Sequence, residues 1–259
     1  MVTPPLHRHP PAALLRVPRI TAFFWVIKAL STAMGESTSD YLVHAMAPVA
    51  AVGLGFVGFV AALSIQFTRH RYVAWAYWLA VVMVGVFGTM AADVLHVGFH
   101  VPYAVSSALY ALALAVVFLA WSRTERTLSI HSIDAPRREA FYWAAVVATF
   151  AAGTAVGDLA ATTGHLGYFG SAALFAGLLL VPAVAYRFFR ANAVVSFWAA
   201  YVLTRPLGAS SADAVGKPKS VGGLGLGDGR VSLVLLGAIA LVVGYLTVSR
   251  RDVQQAPAA

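Results

Sequence analysis

The chain has 259 residues, 60% of them hydrophobic and only 11% charged, a balance that excludes both an ordinary soluble domain and a disordered chain. At roughly 25 to 35 residues for a membrane helix with its loop, it accommodates about seven to nine spans and no soluble catalytic domain. It contains no cysteine, which removes disulfides, thiolate metal sites, iron–sulfur clusters and covalently attached haem, so any metal must be held by oxygen or imidazole.

In chain order, residues 1–18 carry prolines and histidines without a continuous apolar core or a small-residue cleavage site, and read as a mobile cytoplasmic tail. Apolar segments follow at about 20–43, 46–66, 73–98, 101–121, 139–163, 169–188, 193–215 and 230–248, which predicts eight spans. Arg8, Arg16, Arg19, Arg69, Arg71, Arg123, Arg126, Arg137, Arg138, Arg187, Arg190, Arg250 and Arg251 fall in the leader, the tail or the connections after the even-numbered spans. The net charge of +8 is therefore a topological signal rather than a nucleic-acid surface: the positive-inside rule puts both termini in the cytoplasm. Lys217, Lys219 and Arg230, in a glycine-rich outer loop read as flexible, depart from the rule.

The spans repeat. Trp25, Trp78, Trp143 and Trp198 each follow an aromatic residue (Phe24, Tyr77, Tyr142, Phe197), precede a glycine by ten residues (Gly35, Gly88, Gly153, Gly208) and an aspartate by fifteen (Asp40, Asp93, Asp158, Asp213). The expected fold is all-α: a polytopic bundle of eight transmembrane helices built from four parallel helical-hairpin repeats at about 20–68, 73–122, 138–189 and 193–250, within one membrane domain of residues 19–251 followed by a cytoplasmic tail at 252–259. Fifteen helical residues rise about 22 Å, which puts the tryptophans at the cytoplasmic interface, as anchors, and the aspartates in the outer third of the bundle.

A carboxylate at hydrocarbon depth persists only where it faces a cavity, a partner or a proton. Asp40, Asp93, Asp158 and Asp213, with Glu36 one turn below Asp40, are therefore the candidate ion-pathway residues, and their alternative role is to cap helix ends or pair with Lys28 and Arg205. Lys28, two turns below Glu36, is read as the counter-ion of Glu36, and Arg205 as that of a ring carboxylate. His44, His96, His100 and His165 follow the aspartates by three, four or seven residues, which places imidazole and carboxylate on one face wherever the helix continues. They are candidate metal ligands of a mixed oxygen and nitrogen set suited to borderline divalent metals.

The fourfold aromatic-Trp…Gly…Asp pattern, with GESTSDY at 35–41 and TRPLGASSADAVGKP…GGLGLG at 204–227, resembles the DUF347 family of bacterial membrane proteins. The resemblance covers about residues 19–251 and implies eight spans in the bacterial inner membrane, with no activity and no catalytic residue to carry over.

The residues favour a transporter or channel for a small cation, chiefly a divalent metal ion that would be substrate rather than cofactor, over an enzyme, since no nucleophile–base or HExxH pair is present. The lipid bilayer is the expected partner, nucleic acid is not, and a homo-oligomer is left open. Two alternatives stand beside this reading: a structural or regulatory membrane subunit held by acidic repeats, and a non-covalent haem or quinone redox protein, which the absence of mid-span histidines disfavours.

Overall fold

The computed structural model describes residues 15–254; Arg8 and residues 255–259 lie outside them. It contains eight long helices and, among the described residues, no strand: α1 Ala22–Ala45, α2 Pro48–Phe67, α3 Ala74–Asp93, α4 Tyr103–Glu125, α5 Pro136–Asp158, α6 Gly167–Phe189, α7 Ala193–Gly216 and α8 Asp228–Ser249. In lipid the backbone must satisfy its own polar groups, and the ends are closed accordingly. Asn192 caps α7 by accepting the Val194 and Val195 N–H groups at 2.9 and 3.2 Å, and proline opens α2 and α5, where its missing donor costs nothing. Left-handed Arg126, Arg190 and Arg250 end α4, α6 and α8, setting a cation against the negative pole of each helix.

Six of the eight helices are long and apolar enough to cross a membrane; the other two are α1, with Lys28, Glu36 and Asp40, and α7, with Arg205 and Asp213. The odd-numbered helices form a closed ring, α1 against α3, α3 against α5, α5 against α7 and α7 against α1. The even-numbered helices surround it. In α3 and α5, 61% of the apolar stretch is buried, against 17% to 28% in α2, α4, α6 and α8. The chain is thus an all-α membrane bundle of four helical hairpins, with the inner ring polar at its centre and the outer ring facing lipid.

Each outer helix packs principally on the inner helix of the next repeat: α2 on α3, α4 on α5, α6 on α7, and α8 back on α1. The repeat glycines make the inner contacts possible. A Cβ on Gly35 would lie 2.7 Å from the Gly85 carbonyl carbon, on Gly88 2.9 Å from Phe150 Cβ, on Gly153 2.4 Å from Arg205 Cγ, and on Gly208 2.0 Å from Thr32 Oγ1. In every case the glycine of one repeat meets the residue eight before the aspartate of the next, so the same close approach is made four times around the axis.

Both described ends of the chain meet on one face, here the terminal face. Arg19 N–H donates to the Asp252 carbonyl at 2.7 Å, Tyr72 N–H to Leu15 O at 2.9 Å and Arg16 N–H to Ile133 O at 2.9 Å. Residues 15–18, expected as part of a mobile tail, are packed: Arg16 and Val17 are buried, and the Arg16 guanidinium binds the fully buried Glu139 carboxylate at 2.6 Å. Asp252 is buried too, accepting from the Tyr72 hydroxyl, and burial raises its carboxyl above the usual aspartate range despite that bond. Packed residues therefore extend beyond both ends of 19–251.

Candidate functional site: an acidic vestibule on the bundle axis

At the face opposite the termini the inner ring opens into a cavity of about 690 Å³. All four repeat aspartates, Asp40, Asp93, Asp158 and Asp213, line it together with Glu36. The residues four beyond each aspartate, His44, Val97, Thr162 and Lys217, line it too, and Tyr103 and Tyr168 face it from the second and third repeats. Rotational repetition produces this convergence: equivalent residues on four inner helices reach one depth around one axis.

The four corners are not chemically alike. In the second and third repeats the α-helix ends at the aspartate and widens into a π turn, Val94–Gly98 and Leu159–Thr163, followed by left-handed His100 and His165. Such π turns recur at functional sites, and Asp93 and Asp158, followed four residues on by Val97 and Thr162 rather than a cation, have no ion pair among the described residues. In the first and fourth repeats the helices run on without interruption and the carboxylates are paired. Lys217 Nζ lies 2.6 Å from Asp40 Oδ2 and 3.9 Å from Asp213 Oδ1. Glu36, Asp40 and Asp213 offer oxygens all within 4.8 Å of one another, near enough to share one ion.

Behind Glu36, beneath the vestibule, lies Arg205, wholly buried. Its Nη2, with two hydrogens to share, lies 2.6 Å from Glu36 Oε2, 2.5 Å from Thr89 Oγ1 and 2.6 Å from Thr154 Oγ1, and its Nη1 donates to the Thr32 carbonyl at 3.4 Å. Glu36, Thr89 and Thr154 occupy equivalent positions in three repeats, so one guanidinium from the fourth repeat ties all four inner helices. Below it, Phe150 stands 5.3 Å from the guanidinium and 4.2 Å from Lys28 Nζ, which also rests 4.2 Å from the Tyr201 ring. Among the described residues Lys28 has no hydrogen-bond partner. The expectation that Lys28 is the counter-ion of Glu36 is overturned: eight helical residues separate the two Cα atoms by about 12 Å, beyond the reach of a lysine stem, whereas Arg205 sits one turn below Glu36 on a neighbouring helix.

Deeper still, the aromatic residue of each repeat packs on the tryptophan of the next: Phe24 with Trp78 at 5.7 Å, Tyr77 with Trp143 at 5.4 Å, Tyr142 with Trp198 at 6.1 Å, and Phe197 with Trp25 at 5.8 Å between ring centroids. The circuit closes on itself and, with the Tyr77–Tyr142 hydroxyl bond, plugs the terminal half of the axis. Trp78, Trp143 and Trp198 are therefore buried rather than the interfacial anchors expected from depth; only Trp25 is half-buried. Indole suits an aromatic core as well as a headgroup layer, and depth alone does not distinguish them.

The histidines also differ from expectation. His44 reaches the cavity but spends Nδ1 on the Asp40 carbonyl at 2.6 Å. His96 bonds the Val101 carbonyl at 2.8 Å and stacks on Tyr103, while His100 and His165 are exposed caps. None joins the carboxylate group among the described residues: His44 is held to its own helix by the Asp40 carbonyl, and His96, His100 and His165 lie in or just beyond the π turns that follow α3 and α5. The glycine-rich loop is ordered rather than flexible: the N–H groups of Leu224, Leu226 and Gly227 donate to the Ala214, Val215 and Gly216 carbonyls at 2.8, 3.1 and 3.0 Å, capping α7. Glu139 went unforeseen, although an acidic residue one turn before Trp143, at the start of the apolar segment, was the signal available.

Three segments, residues 76–127, 141–192 and 196–252, match the model described as Repeat of Unknown Function (DUF347). The chain belongs to the DUF347 family. The matched segments are its second, third and fourth repeats, which follow the alternation of inner and outer helices in the bundle. No match was found among curated proteins or among solved structures.

Proposed function

We propose that this DUF347 protein is a carrier for a small cation, with a divalent metal ion as the substrate and no enzymatic role, and that it resides in the bacterial inner membrane with its terminal face in the cytoplasm. The observation that carries the reading is the convergence of five carboxylates on one cavity at the face opposite the termini. Acidic vestibules concentrate cations and repel anions. With the histidines outside the carboxylate group, the donors are oxygens alone, which suits harder ions such as Mn²⁺ or Mg²⁺ better than Zn²⁺ or Cu²⁺.

The axis beneath the vestibule is filled by buried Arg205, Phe150, Lys28 and Tyr201 and by the aromatic circuit. An open channel needs a continuous path; a carrier needs a closed gate that a second conformation opens. The filled axis supports the carrier, held open to the aspartate side. Asp93 and Asp158, without ionic partners among the described residues, are the unpaired half of the aspartate ring that attracts the ion, and the triad of Glu36, Asp40 and Asp213 forms the binding site.

The test is Mn²⁺ uptake into liposomes containing the purified protein. Asp93→Asn with Asp158→Asn leaves no buried cation unpaired, so the protein folds, and uptake falls at least tenfold. Unchanged uptake, or uptake equal to that of empty liposomes in the unmodified protein, rejects the carrier. A structural or regulatory subunit, the second reading, predicts the latter result together with co-purification of another membrane protein.

A further inference from the structure

The repeat position four residues beyond each aspartate is occupied by His44, Val97, Thr162 and Lys217, and all four side chains line the vestibule. Only the fourth repeat places a permanent cation there. Its ammonium lies 2.6 Å from Asp40 and 3.9 Å from Asp213, two of the three carboxylates whose oxygens fall within 4.8 Å of one another. Oxygen ligands hold Mn²⁺ or Ca²⁺-like ions at about 2.0 to 2.6 Å, and an ammonium bonded to Asp40 cannot share that space with a metal.

We propose that Lys217 is a built-in competitor that selects divalent over monovalent cations, an inference that rests on the carrier reading above. Glu36 is matched by Arg205, which leaves Asp40 and Asp213, two negative charges, sharing the single positive charge of Lys217. A sodium ion that displaces the ammonium brings no additional charge, and it competes against a group whose tether gives it an effective concentration in the millimolar range or above. A divalent ion brings a second charge and neutralises the pair. The exchange is favourable only for the divalent ion.

The structure provides for the side chain to move while its backbone stays. Lys217 N–H donates to the Asp213 carbonyl at 3.0 Å and its own carbonyl accepts from Gly225 N–H at 2.8 Å, so the folded glycine loop pins the main chain at the end of α7. The four-carbon stem is a flexible lever, and the side chain, 19% exposed, already reaches the open side of the vestibule. An ammonium bonded to Asp40 and close to Asp213 keeps the positive charge of an ordinary lysine.

The experiment measures Mn²⁺ binding to the purified full-length protein in detergent, by electron paramagnetic resonance of free Mn²⁺, in choline chloride and in sodium chloride. The unmodified protein binds Mn²⁺ with equal affinity in both salts. Lys217→Met binds about tenfold more tightly or better in choline and loses that gain in sodium, whereas Lys217→Arg stays sodium-indifferent. A Lys217→Met protein that binds no more tightly than the parent and ignores sodium overturns the competitor while leaving the cation site standing. Absence of Mn²⁺ binding in the parent and in both variants overturns the competitor and the carrier reading together. If Lys217→Met fails a thermal-unfolding check, Lys217→Gln, uncharged but still a donor to Asp40, is read by the same criteria.

Discussion

Glu139 and Lys28 are both buried charges, yet they are opposite cases. Glu139 accepts from Arg16 at 2.6 Å, from Gln66 Nε2 at 2.8 Å and from Trp143 Nε1 at 3.4 Å, so its carboxylate is enclosed by donors from the N-terminal segment, α2 and α5. Removing it strands the Arg16 guanidinium, and Glu139→Ala is expected to lose about 3 to 5 kcal/mol, measured by thermal unfolding in detergent. Lys28 has aromatic faces and no acceptor. Lys28→Met, of similar volume, is therefore expected to leave stability unchanged or raise it; a large loss would show that the cation–π contacts hold the inner helices together. The sequence disclosed that the carboxylates and cations are intramembrane but not which pair, because pairing depends on neighbouring helices: Glu36 finds Arg205, distant by 169 positions, instead of Lys28 on its own helix.

At the scale of the element, small residues and turns decide where charged groups come to rest. Gly208 packs on Thr32 and Gly35 on the backbone of Gly85, so an added methyl group meets atoms that cannot withdraw without parting two helices. Gly208→Ala and Gly35→Ala are expected to destabilise the bundle by about 1 to 3 kcal/mol, while Gly237→Ala and Gly244→Ala, with open space at the Cβ position, stay within about 1 kcal/mol and gain helix propensity. Unfolding midpoints of the four variants, compared in one detergent, check the contrast. The inner glycines were legible because they recur at one offset from tryptophan and aspartate. The order of the glycine-rich loop was not: composition reports the freedom of a chain on its own, whereas the terminal carbonyls of α7 demand donors, and Gly225 and Gly227, at φ 79° and 84°, adopt the left-handed backbone that brings the Leu226 and Gly227 N–H groups to them. The α-to-π transition after Asp93 and Asp158 was equally hidden, since it changes the hydrogen-bond partner and leaves the apolar pattern intact, and His96, His100 and His165 lie in or just beyond those turns.

On the scale of the whole molecule, the repeat offsets foretold a rotational bundle with aspartates at one end, but periodicity within a repeat cannot say which neighbour an outer helix chooses. Because each outer helix packs on the following inner helix, the last one, α8, has to return to the first, α1, and the ring is complete only when that contact forms. Thr38 Oγ1 on α1 and Ser232 Oγ on α8 stand 2.6 Å apart, marking the closure between the two ends of the membrane domain. The chain has no cysteine of its own, so Thr38→Cys with Ser232→Cys introduces a single thiol pair within the reach of a disulfide. Mild oxidation of the purified double variant is expected to give a cross-linked monomer that migrates faster than its reduced form on a denaturing gel. Covalent dimers instead would mean that α8 closes on the α1 of another copy, an exchange of identical elements between protomers, and would assign the vestibule to an assembly rather than to one chain. Failure of either product would place α8 away from α1 and remove the physical basis for a closed fourfold ring.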